Sequence, residues 1–280
     1  MTRGCFRSLL LKVCIAVASA SAVAGGQGIA AANKPEPSRP LDDLLRVGAR
    51  YQYDNVSDID PWQDASLEYA QRLPFGTVVF GVNGAHHFDR NGAQFELQAY
   101  PRLTKRSYLF FDVAASSDKA VFLPLRLIAE PYYNFSNGWE VSAGAQYLQA
   151  PGRDVYTYSG TLARYFGNYW ISARPTYTPV PDNDSYGGAL TARRYFSGRY
   201  DYLSLILSRS IGVDPSATDP TSFLRQPKLA SYAVALDRRQ PIGRTHARAS
   251  YGFGYQSEEI APGRNRLHRT ATVGLEWFIP

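Results

Sequence analysis

From about residue 45 to its end the chain consists of segments of about ten residues in which large apolar side chains alternate with small or polar ones. In one of them Trp139, Val141, Ala143, Ala145 and Tyr147 fall on one side, and Glu140, Ser142, Gly144 and Gln146 on the other. A period of two is that of a β-strand with one face in an apolar medium and the other in water. About fourteen such segments follow one another. They lie near residues 45–55, 64–73, 76–88, 94–104, 106–116, 125–136, 138–149, 153–166, 168–179, 185–197, 200–211, 227–239, 243–256 and 265–278. Each strand gives a weak signal, so the expected count spans about 12–16. The series predicts an all-β fold: a closed, antiparallel transmembrane β-barrel with lipid outside and a polar lumen inside.

The connections alternate as well. Those after every second segment are short and carry the Gly, Asn and Pro of tight turns: Leu73 to Gly76, Thr104 to Arg106, Ser136 to Gly138, Phe166 to Asn168, Ser197 to Arg199 and Gln240 to Gly243. The others are mostly longer and polar: Val56 to Gln63, Asp89 to Ala93, Ser117 to Pro124, Ala150 to Gly152, Val180 to Asp184, Gly212 to Gln226 and Ser257 to Arg264. Short turns at one end and long loops at the other are the asymmetry of outer-membrane barrels. With an even strand count, both termini share the short-turn end, which predicts that both are periplasmic.

The N-terminus reads as an export signal. Arg3, Arg7 and Lys12 precede and flank a short apolar core, and Ala22-Val23-Ala24 offers a small-x-small cleavage site, with Ala30-Ala31-Ala32 as a later one. Cys14 follows Val13 rather than a small residue, which argues against a lipoprotein signal. The expected organisation is a signal over 1–24, cleaved as late as 32, an unstructured Pro-rich periplasmic leader over 25–43, and the barrel over 44–280.

Composition sharpens this. Both cysteines, Cys5 and Cys14, lie in the signal, so the mature chain has no disulfide framework and no thiolate chemistry. The formal charge is +6, and three of those positives leave with the signal. The remainder is too small and dispersed for a nucleic-acid footprint. Twenty tyrosines suit strands and the membrane–water boundary.

Parity assigns the faces. Val78, Phe80 and Val82, Leu109, Phe111 and Val113, Leu203, Leu205 and Leu207, Tyr251, Phe253 and Tyr255, and Val273, Leu275 and Trp277 are expected toward lipid. Glu96, Gln98, Tyr100, Arg102, Asp112, Arg126, Glu130, Glu140, Arg174, Arg193, Arg248 and Glu276 are expected toward the lumen. Strand 227–239 is ambiguous, because both its faces hold small residues. Gly160, Gly187, Gly188, Gly252 and Gly254 are expected at bends. A lumen lined by guanidinium and phenol holds sugars by stacking and hydrogen bonds, and carboxylates or phosphates by bidentate contacts. On that basis Glu96, Tyr100, Arg102, Arg126, Glu130, Arg174, Arg193 and Arg248 are candidates for a substrate path. The competing reading is that the same charges pair across neighbouring strands and brace the wall.

Pro74 to Phe80, Gly92 to Arg102, Gly138 to Gly144, Arg164 to Pro175 and Leu190 to Phe196 resemble, in order, blocks of the YaiO family of outer-membrane β-barrels. The resemblance runs from about Trp62 to Phe278. It implies an outer-membrane barrel that works beside glycosyltransferases in moving a surface polysaccharide. The last strand ends Trp277-Phe278-Ile279-Pro280, similar to the C-terminal signal of barrel-assembly machinery but with two residues after the aromatic.

Enzymatic sets are weak. His246 and Ser250 share one face of one strand but lie about 13 Å apart, too far for a hydrogen bond. His86 and His87 are adjacent and point to opposite faces, a poor metal pair. The expectation is a non-enzymatic protein with no cofactor and no metal. Its partners would be outer-membrane lipid, the barrel-assembly machinery, and a polysaccharide with its synthase components. A small-solute porin and a structural or receptor barrel with partner-binding loops remain the alternatives.

Overall fold

In this computed structural model the described residues are 43–54, 61–87, 89–116, 121–150, 153–180, 184–198, 200–212, 229–243, 245–261 and 264–279. The export signal and the leader to residue 42 lie outside them. The strands are β1 (Asp43–Asp54), β2 (Trp62–Leu73), β3 (Gly76–His87), β4 (Arg90–Pro101), β5 (Ser107–Ser116), β6 (Leu125–Asn134), β7 (Trp139–Ala150), β8 (Arg153–Phe166), β9 (Tyr169–Thr178), β10 (Ser185–Tyr195), β11 (Tyr202–Gly212), β12 (Leu229–Pro241), β13 (Ala247–Ala261) and β14 (Arg264–Ile279). Each pairs antiparallel with its neighbour in sequence, and β1 pairs with β14 from Asp43↔Ile279 to Asp54↔His268. The sheet is therefore a closed barrel without free edges, the arrangement that lipid requires of membrane-spanning strands.

The alternation places the strands correctly and misjudges some of their ends. Residues 90–93 and 257–261 belong to strands, so only two residues, 88–89, 151–152 and 262–263, separate the strands at these three places, where longer connections were expected at the first and third. Polar residues such as Arg90, Asn91, Glu258 and Glu259 read as loop, yet the hydrogen-bond ladder continues through them. The asymmetry between the ends is carried by residues 55–61, 117–124, 179–184 and 213–228. At the other end, Gly138 and Gly167 adopt the positive φ of 83° and 55° that their turns demand and that L side chains resist.

The faces follow parity. Phe80, Val82, Phe111, Leu205, Leu207, Tyr251, Phe253, Tyr255, Val273, Leu275 and Trp277 are all exposed on the outer surface. The ambiguity of β12 resolves with Tyr232, Val234 and Leu236 outward and Asp237 and Arg239 inward. The register on both sides of Gly252 is continuous, so no bulge marks it. Its missing side chain instead makes room for the Asp237 carboxylate beside it.

Candidate functional site: the lumen wall

Inward positions fill the barrel with charge and aromatic rings. On β4 to β6, Arg126 holds Glu96 at 2.8 Å and Asp112 at 2.9 Å. Asn83 Nδ2 donates to the second oxygen of Glu96 at 2.9 Å, Gln98 Nε2 donates to the first at 2.7 Å, and the Tyr100 hydroxyl donates to Gln98 at 3.0 Å. On β6 to β9, Arg174 meets Glu130 through both nitrogens, Nη1 at 2.8 Å and Nη2 at 2.5 Å. Arg174 also donates to Thr161 and Ser159, each at 3.0 Å, and the Ser142 hydroxyl donates to Glu130. Among the described residues, Glu130, Glu140, Asp64 and Asp112 are the largest fully buried side chains. Buried carboxylates persist only when paired or hydrogen-bonded, so these contacts are a condition of the fold.

Toward the short-turn end the rings dominate. Tyr108 stacks on Tyr132 with centroids 4.7 Å apart, and its hydroxyl donates to Glu140 at 3.4 Å. Arg193 lies 4.2 Å from the Tyr202 ring and 5.2 Å from that of Trp170, and donates to Ser204 at 2.8 Å. Arg46 bridges Glu68 of β2 at 2.6 Å and Glu276 of β14 at 2.8 Å, and Arg239 also holds Glu276. Tyr200, from the turn at 196–201, reaches into this mouth. Its ring lies 4.2 Å from the Arg248 guanidinium, 5.0 Å from that of Arg239 and 5.3 Å from the Phe278 ring, and Arg72 of β2 donates to its hydroxyl.

The long-loop half is different. Its wall over β8 to β13 carries Thr157, Ser159, Thr176, Thr178, Ser208, Ser231 and Gln256. Thr157 and Thr178 share a hydrogen bond at 2.7 Å, and Gln256 donates to Ser231 at 3.2 Å. The buried His268 contacts Glu258 at 3.1 Å. This half of the wall is thus rich in hydroxyls over β8 to β13, while charge also reaches it at Asp64, Arg126, Glu258 and His268, and the rings gather at the short-turn end.

Seven of the eight candidates share this wall: Glu96, Tyr100, Arg126, Glu130, Arg174, Arg193 and Arg248. The eighth does not. Arg102 follows the end of β4, is exposed, and meets Tyr108 only through an isolated bridge. Pro101 has no N–H to extend the ladder, and the Arg102 amide instead bonds the Phe75 carbonyl at 2.6 Å. His246 lies before β13 rather than in it, exposed, with its carbonyl accepting from the Phe278 amide at 3.0 Å. Arg46, Glu68, Arg72, Tyr200, Arg239 and His268 were not among the sequence candidates. Parity would have placed the strand residues among them inward; nothing in the sequence points to Tyr200.

A family model described as the YaiO membrane beta barrel domain matches residues 45–216. No curated protein matches the chain. Among solved structures, the CymD monoaromatic hydrocarbon channel is similar at 6% identity and a TM-score of 0.57, covering 86% of this chain and 89% of that one. A bacterial polysaccharide outer membrane secretin is similar at 11% identity and 0.54, covering 87% and 100%. Omp33 of Acinetobacter baumannii is similar at 12% identity and 0.51, covering 86% and 100%. At these identities the likeness is one of fold: an outer-membrane β-barrel.

Proposed function

We propose a transport role, on the premise that the chain belongs to the YaiO family of membrane β-barrels: it is a non-enzymatic outer-membrane conduit, or accessory barrel, for a surface polysaccharide. The observation that carries the reading is the polar lumen wall, with hydroxyls and amides over β8 to β13 at the long-loop end and most of the aromatic rings at the short-turn end. Hydroxyls and amides at the long-loop end match a polyhydroxylated chain. Phenols and guanidiniums at the other end suit sugar rings and their carboxylate or phosphate substituents. The short turns and both termini face the periplasm, and the long loops face outward. A neighbour of the same fold is described as a polysaccharide secretin, which agrees with this reading. In the conformation described here Tyr200 stands in the periplasmic mouth, so passage requires that it move.

A second reading has its own observation. Arg126 and Arg174 are fully engaged with Glu96, Asp112 and Glu130, as bracing of a structural barrel with partner-binding loops requires. Deleting the gene and measuring surface glycan, together with planar-bilayer conductance of the purified protein, separates the two. Loss of glycan and a measurable conductance support the conduit. Normal glycan and a silent barrel overturn it in favour of the structural reading.

A further inference from the structure

The outer surface at the short-turn end carries three arginines on β8, β10 and β12. Arg238 is satisfied within the protein: Asp201 lies at 2.6 Å, and its Nη1 also donates to the Tyr202 carbonyl at 2.9 Å. Arg164 and Arg194 are not. Both are exposed, and each is held by an aromatic face: Arg164 lies 5.1 Å from the Trp139 ring and Arg194 5.2 Å from that of Phe196. Among the described residues neither has a carboxylate partner. Stacking uses the face of a guanidinium and leaves its five N–H groups, all at the edge, without acceptors.

The two flank one strand. Across β9, Arg164 is opposite Ile171 and Arg194 is opposite Tyr169. Strand spacing and rise put their Cα atoms about 12 Å apart, close enough for two long side chains to converge on one group. Just toward the middle of the membrane, Ala173 is flanked by Leu162 and Leu190, which are 51% and 57% exposed. A small residue between two leucines leaves a shallow apolar recess directly above the cationic pair. Tyr169 and, eight residues further along the same strand, Tyr177 bound an outward band about 26 Å long along the strand. Arg164 and Arg194 therefore sit at the level of the headgroups.

We propose that Arg164 and Arg194 form a binding site for the phosphodiester of an anionic phospholipid, with an acyl chain lying on Leu162, Ala173 and Leu190. Guanidinium forks fit phosphate oxygens bidentately, and the interface is dry enough for the contact to matter. The assignment to the inner leaflet rests on the periplasmic placement of the short turns proposed above; the site itself does not depend on transport.

Native mass spectrometry of the detergent-solubilised protein titrated with phosphatidylglycerol tests it without reference to sidedness or glycan. Heat-modifiable migration first establishes that each variant is folded. Arg164→Gln or Arg194→Gln should each weaken the tightest lipid adduct about fivefold, and the double variant about 30-fold. Arg238→Gln, whose charge Asp201 already neutralises, should leave it unchanged. Inorganic phosphate at millimolar excess should not displace the lipid. Displacement by phosphate would overturn the lipid assignment in favour of a free-anion site. Folded Arg164 and Arg194 variants that bind phosphatidylglycerol like the parent would overturn the site altogether.

Discussion

Arg174 on β9 reaches past two strands to grip both oxygens of Glu130 on β6. One of the two strands in between, β7, makes this path available. A Cβ on Gly144 of β7 would lie 2.8 Å from both Cβ and Cγ of Glu130, so a glycine there lets the carboxylate lie flat against the wall. Removing the guanidinium leaves a fully buried carboxylate without its cation. Arg174→Gln should destabilise the barrel by about 3–5 kcal/mol in urea unfolding from micelles. The double change with Glu130→Gln should cost clearly less than the two single changes summed. Equal and additive losses would show that the pair is not coupled.

Tyr200 makes a different kind of contact, one that can be undone. Its ring faces the guanidiniums of Arg239 and Arg248 and lies 5.8 Å from that of Arg72. At about 0.5–2 kcal/mol for each cation–π contact, losing the ring shifts a closed–open balance by at least about tenfold. Tyr200→Ala should raise single-channel open probability in planar bilayers, while Tyr200→Phe, which keeps the ring, should behave nearly as the parent. Identical traces from Tyr200→Ala and the parent would remove Tyr200 from any gating role.

Asp201, beside it, gives the turn a pH dependence. Burial alone would raise its carboxyl, but the Ser197 hydroxyl and the Arg238 guanidinium outweigh that and hold it below the ordinary range. A lowered folded pKa stabilises above the unfolded value and loses that stabilisation as pH falls through the folded one. The contribution is therefore complete at neutral pH and fades below about pH 4. Asp201→Asn should flatten the acid limb of the stability–pH curve below about pH 4 and leave its shape at neutral pH unchanged, as a pH series of urea unfolding would show.

The orientation proposed for the barrel is directly measurable. An epitope inserted after Asp219, in the connection between β11 and β12, should be labelled on intact cells. One inserted after Asn137, in the turn between β6 and β7, should be labelled only after permeabilisation. The opposite pattern would invert the barrel.

Most of the architecture was legible because the lipid face imposes its own rhythm. Series such as Tyr251, Phe253 and Tyr255, or Val273, Leu275 and Trp277, put an apolar side chain at every second position whatever the lumen holds, and the strands and faces follow from that alone. The ends of strands were less legible: where β4 and β13 continue through Arg90 and Glu259, the polar residues look like loop although the ladder persists. The wall residues were readable one at a time, from parity, whereas their partnerships were not. Nothing local says that Arg174 chooses Glu130 two strands beyond its neighbour, because that pairing depends on curvature and on glycines such as Gly144, whereas Arg46 links Glu68 to Glu276 by lying opposite both in register. Arg102 fitted the parity of β4 but lies one residue past Pro101, where the parity no longer applies. Tyr200 sits in a turn and has no pattern to betray it.

The pairing of β1 with β14 has a bearing on how the protein is made. The strand that leaves the ribosome first finds its second neighbour only when the last one has followed, and Arg46 then joins carboxylates from both sides of that seam. Until that moment the sheet has two raw edges, which lipid does not tolerate and other chains can template. A chain cut short before Arg264 is thus not a slightly weaker barrel with one strand fewer. It leaves β1 and β13 with unpaired edges toward lipid, so closure of the barrel waits on the one strand that can pair with both.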